Sequence, residues 1–134
     1  MREHLHSIAI DLLQQLITIP SFSKEEDKTA GLLMGFFSYH GMEAERVGNN
    51  VWAKNKFFDA SKPTLLLNSH HDTVKPNPSY TRDPYSPVIE NGKLFGLGSN
   101  DAGGPLVSLI MTFFNSKFKM LVISPIIEAS SIIE

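Results

Sequence analysis

Cysteine is absent from the 134-residue sequence. That excludes a disulfide framework and any thiolate metal site, leaving His, Asp and Glu as the available metal ligands. Such ligands suit catalytic zinc better than structural zinc. An excess of one charge is also absent: 12 Lys+Arg against 14 Asp+Glu leave a formal net charge of -2. The clustered basic residues of a nucleic-acid footprint are missing. No apolar run is long. Residues 105–114 make up the longest, about half a membrane span, and Asn115, Lys117 and Lys119 then break it. The first ten residues carry Arg2, Glu3, His4 and His6 without a sustained apolar core, so they do not read as a signal peptide. The expectation is a cytoplasmic chain with neither nucleic acid nor membrane as a partner. Repeats and low-complexity tracts are lacking as well. Hydrophobic residues at 42% and charged residues at 19% are the composition of an ordinary globular domain. The length suits one domain or part of a larger one.

Apolar spacing predicts a first helix over 8–19, with Ile8, Leu12, Leu13 and Leu16 on one face and Pro20 as its stop. Ser23-Lys24-Glu25-Glu26 has the pattern of a capping box and should open a second helix. That helix carries Ala30, Leu33, Phe36 and Phe37 on one face and stops at His40-Gly41. Strands are predicted over 43–47 and 51–54 around a Gly48-Asn49-Asn50 turn. A buried central strand is predicted over 64–68. Residues 75–87 hold four of the eight prolines and read as an ordered loop in which Tyr80 and Tyr85 have something to bury. Asn91-Gly92 is a strong hairpin signal within 88–95. A helix over 105–118 and a further strand over 120–124 complete the pattern. Helices alternating with apolar strands indicate an α/β fold, a mixed sheet flanked by helices, in which ligands gather at the carboxyl ends of strands.

Two segments follow such strand-like runs. The first is Ser69-His70-His71-Asp72-Thr73-Val74. At a strand end, residues two apart project to the same side, so His70 and Asp72 can share one site while His71 points away. His70 is either a metal ligand with Asp72 fixing its tautomer from behind, or a half-buried strand-end histidine beside a turn-capping Asp72. The second segment is Gly96-Leu97-Gly98-Ser99-Asn100-Asp101-Ala102-Gly103-Gly104. Asp101 there is either the N-cap of the helix that follows or a metal-bridging carboxylate. Other candidates have ordinary readings. His4 and His6 belong to a helix surface. His40 favours its helix C-terminus when charged. Trp52 is a core residue. Tyr80, Arg82 and Tyr85 shape access to the site or pack the loop. Glu25-Glu26 is helix N-terminal charge.

Together, His70-His71-Asp72-Thr73-Val74, Asp83-Pro84-Tyr85-Ser86-Pro87 and Asn91 through Asp101 resemble the front of the dinuclear zinc amidohydrolases. This family contains acetylornithine deacetylase, succinyl-diaminopimelate desuccinylase and related aminoacylases and carboxypeptidases. Leu16-Ile17-Thr18-Ile19-Pro20-Ser21 resembles the family's first helix and turn, and the wording is closest to the acetylornithine deacetylase branch of arginine biosynthesis. The likeness runs from about residue 8 to about residue 115. It implies the N-terminal portion of a zinc aminopeptidase/deacylase-like catalytic domain. His70 would be a terminal zinc ligand, Asp72 the catalytic residue that orients it, and Asp101 a bridge between two zinc ions. A water acidified by the two cations would attack the amide carbonyl of an N-acyl amino acid. His and Asp donors do not by themselves choose zinc over cobalt.

The sequence departs from that pattern in two places. Leu97 stands where the family often has Arg, a loop-supporting position. The family also presents adjacent acidic residues after the next strand, one as general base and one as zinc ligand. Here that window opens at Ile133, which accepts no proton, and Glu134 is the remaining candidate ligand. Residues 116–134 match the family poorly, and Glu128 has no acidic neighbour. The expectation is therefore that 1–134 is a single partial catalytic domain, without the later ligands and the dimerising domain. It would be inactive alone and able to associate through an exposed sheet edge. The alternative is a non-catalytic remnant or binding module of the same fold.

Overall fold

The computed structural model describes residues 2–116 and the strand at 120–124. Helix α1 (Arg2–Ile17) turns Leu12, Leu13, Leu16 and Ile17 inward. It starts well before the first apolar repeat: Glu3, His4, His6 and Ser7 are exposed, while Leu5 is half-buried against the core. Helix α2 (Asp27–Tyr39) buries Thr29, Ala30, Leu33 and Phe37. Helix α3 (Gly104–Asn115) buries Leu106, Val107, Ile110, Met111 and Phe113. Phe37 meets the edge of Phe113 at 6.1 Å, and Phe36 stacks on Phe114 at 5.7 Å, so aromatic contacts join α2 to α3.

The expected capping box takes another form. Lys24 lies at φ +73, α2 begins only at Asp27, and no side chain caps it. Glu26 turns inward instead, and one of its oxygens accepts the Lys24 N–H at 2.6 Å.

The main sheet is mixed and ordered β1-β2-β6-β3, from β1 (Ala44–Val47), β2 (Asn50–Lys54), β3 (Leu65–Asn68) and β6 (Met120–Ser124). β2 runs antiparallel to β1 and β6, and β3 runs parallel to β6. A separate hairpin joins β4 (Val88–Glu90) to β5 (Lys93–Phe95). Its two turn residues, Asn91 and Gly92, have φ of +50 and +74, the backbone that tight hairpins require and that Asn-Gly adopts readily.

Three expectations are corrected. Among the described residues β3 is not central: it ends the strand order, with Leu65 52% and Leu66 37% exposed. The interior places go to β2 and β6, each paired on both sides. In β2 the buried residues are Val51 and Ala53, and Trp52 on the opposite face is half-buried. Tyr80 is exposed and does not anchor its loop.

Candidate metal centre

His70 lies just beyond the carboxyl end of β3. Its Nδ1 is 2.9 Å from Asp72 Oδ1 and 3.2 Å from the Asp72 carbonyl. Its Nε2 is 3.2 Å from Asp101 Oδ1. The imidazole therefore stands between two carboxylates that come from different parts of the chain.

Asp101 reaches this place through a tight approach of backbones. After β5 the chain runs Gly96-Leu97-Gly98, with the Leu97 N–H bonded to the Pro84 carbonyl at 2.7 Å and its side chain buried. Gly98 has φ +75, and a Cβ there would lie 2.6 Å from Thr73 Cγ2. Only glycine lets the second segment come so close to the first while its backbone is left-handed. The turn Ser99–Gly103 then leads into α3. No side chain caps α3. The Asp101 side chain is 88% exposed and aimed at His70, so the helix-capping alternative does not describe it.

His71 faces the interior and is 6% exposed. Its Nε2 lies 3.0 Å from the Asn49 carbonyl, an acceptor only, and its Nδ1 lies 2.8 Å from Thr29 Oγ1. Burial pushes its pKa below 6.5, outweighing the Asn49 hydrogen bond and the nearby Glu26 and Asp72 charges. The neutral ring thus donates from Nε2 and accepts at Nδ1. Sequence reading set His71 aside as pointing away; the contacts that hold it became visible only in three dimensions.

A cavity of about 580 Å3 opens beside the pair, with Val74, Tyr80, Arg82 and Phe95 among its walls. Arg82 forks onto both Glu90 oxygens at 3.1 and 2.8 Å and lies 4.2 Å above the Phe95 ring. Its hydrogen bonds hold the Glu90 carboxyl below the ordinary carboxylate range. Arg82 is thereby a wall of the cavity whose charge Glu90 already matches.

The donor chemistry suits a cation in part. His70 Nε2 faces an Asp101 carboxylate oxygen at 3.2 Å. A proton or a cation would fill that gap, and two ligands each about 2.0–2.2 Å from one zinc are spaced in this way. Among the described residues, however, no three His, Asp or Glu side chains gather as a metal-holding group. Glu134, Glu128 and Ile133 lie outside the described residues. No helix among the described residues is long and apolar enough to cross a membrane.

The fold resembles human carnosine dipeptidase 1 with a TM-score of 0.72 and 18% identity, over 97% of this chain and 35% of that one. It resembles an M20 family metallo-carboxypeptidase of Sulfolobus solfataricus with a TM-score of 0.69 and 23% identity, over 87% and 29%. The fold is that of the N-terminal portion of such a catalytic domain. Residues 66–119 match the profile of peptidase family M20/M25/M40. Succinyl-diaminopimelate desuccinylase of Delftia acidovorans is 27% identical over 115 residues, covering 78% of this chain and 30% of the relative. A LysW-lysine/LysW-ornithine hydrolase of Pyrococcus furiosus is 36% identical over 110 residues, covering 80% and 30%. The chain belongs to peptidase family M20/M25/M40, and it spans about 30% of the length of these curated relatives.

Proposed function

We propose that this chain supplies the first ligands of the metal centre of a hydrolase acting on N-acylated amino acids. The observation that carries the reading is His70 held between Asp72 at 2.9 Å and Asp101 at 3.2 Å. His70 is the terminal ligand through Nε2. Asp72 accepts the Nδ1 hydrogen and so fixes the tautomer and the ring plane. Asp101 would be the carboxylate shared by two ions, and Glu134 would be the next donor. Zinc is the proposed metal, with cobalt as its usual substitute. When bound, it would polarise the amide carbonyl and make water acidic enough to attack at neutral pH.

The chain's own residues bind and orient. Asp72 keeps the Nε2 lone pair free, and the cavity bounded by Tyr80, Arg82 and Phe95 receives one end of the substrate. An amide of an amino acid, giving a free amine and a carboxylate, is the substrate class favoured by the relatives' names. N-acetylornithine and N-succinyl-diaminopimelate are the two compounds to compare.

Titration of the purified chain with zinc tests the reading. Weak binding that disappears in His70→Ala and Asp101→Ala is expected, with no turnover of either compound. Two tight equivalents, or binding indifferent to both substitutions, would overturn it.

A non-catalytic reading is favoured by one observation: among the described residues no third ligand joins His70 and Asp101. In that case the chain acts as a binding module, self-associating through β3. Turnover by the chain alone would exclude it.

A further inference from the structure

His71 sits beside the site but turns away from it into a buried polar cluster. Its ring bridges Thr29 Oγ1 on α2 at 2.8 Å and the Asn49 carbonyl in the β1–β2 turn at 3.0 Å. Asn49 is held in turn, because its side-chain amide donates to Glu26 Oε2 at 2.8 Å. Glu26 itself is 1% exposed. The main chain at His71 and just after it is tied down as well. The Ser21 hydroxyl donates to the His71 carbonyl at 2.9 Å, and the Thr73 N–H donates to the Ser21 carbonyl at 2.7 Å. Side chains alternate along an extended segment. Pinning the ring of residue 71 in the interior therefore sets the rotation of the whole segment, and with it the direction of residues 70 and 72.

We propose that His71 is a positioning residue: locked between Thr29 and Asn49, it presents His70 and Asp72 to the metal from the opposite side of the strand end. The proposal rests on the metal-site reading given above. Ligand geometry tolerates little misplacement, and supporting hydrogen bonds outside the ligands set it. Thr29 is the informative place to intervene. It lies on another helix and touches neither His70 nor the cavity; its hydroxyl meets the His71 ring at 2.8 Å and the Glu26 carbonyl at 3.1 Å.

The test uses the full chain with Thr29→Val, which removes the hydroxyl at nearly constant shape, and Thr29→Ser, which restores it. The first readout is metal-free: the ring-nitrogen NMR signals of His70, which report its tautomer. The second is cobalt titration followed by visible absorption. Thr29→Val should move the His70 signals away from those of the parent chain and weaken cobalt binding about tenfold. Thr29→Ser should restore both. His71→Gln, which keeps a donor for the Asn49 carbonyl and loses the Thr29 contact, should reproduce the effect if Thr29→Val does not fold. Lowered melting with His70 signals and cobalt affinity unchanged would overturn the proposal. If the parent chain binds no cobalt, yet Thr29→Val still shifts the His70 signals, the positioning role stands and the metal reading falls.

Discussion

Thr73 and Gly98 are in contact across the two segments that carry the candidate ligands: a Cβ on Gly98 would lie 2.6 Å from the Thr73 methyl. This approach lets Asp101 face His70. Gly98→Ala adds a methyl where none fits, at a left-handed φ of +75. A loss of about 2–3 kcal/mol is expected from the two costs together, measured by urea denaturation. Metal binding should weaken with it. Wild-type stability in Gly98→Ala would show that the segments separate at little cost.

Asp72 and Asp101 are expected to fail in different ways. Asp101→Asn removes a ligand charge and should abolish measurable metal binding. Asp72→Asn leaves every proposed ligand in place and releases the His70 tautomer. It should weaken binding about 10–100-fold. Calorimetric titration of the two variants separates a ligand from its support, and equal losses would contradict the assigned roles.

Acid should destabilise the fold as its two shifted histidines take up protons. His40 packs against the Phe36 ring at 4.5 Å and the Phe114 ring at 5.3 Å. Burial, and then the charge of His4, lower its pKa below 6.5. His40 is the C-cap residue of α2, as expected, and the shift limits how far its charge favours that helix end. A lowered histidine pKa means that the folded state binds fewer protons than the unfolded one, so stability rises with pH. Loss should begin as pH falls through about 6.5 and continue to the lowered folded value. His71 shifts in the same direction, so His40→Phe should flatten the melting-temperature profile only in part. A profile identical to that of the parent would refute the contribution of His40.

β3 is expected to be the site of self-association. It ends the described strand order, with Leu65 and Leu66 exposed, and such an edge pairs readily with another chain. Light scattering should show mass rising with concentration, and Leu66→Lys should reduce that rise. A monodisperse monomer at high concentration would rule the association out.

Local chemistry was legible where neighbours in sequence decide it. The 88–95 hairpin followed from Asn91-Gly92, and the inward face of α2 from the spacing of Ala30, Leu33 and Phe37. The start of α1 at Arg2 was not legible, because apolar spacing marks the packed face and is silent about polar turns. The capping signal at Ser23 misled: Glu26 found a better set of partners in Lys24 and Asn49, the latter 23 positions away. Apolar content alone predicts a central strand at 64–68. Its place in the sheet depends on what pairs beside it, and β2 and β6 take the interior positions.

Alternation along an extended backbone was enough, by itself, to put His70 and Asp72 on one side and His71 on the other, since side-chain direction there depends only on the parity of position. The meeting of His70 with Asp101 across 31 residues was decided by the fold. So was the locking of His71 by Thr29 and Asn49. Those contacts depend on how separate elements pack, which no local period encodes.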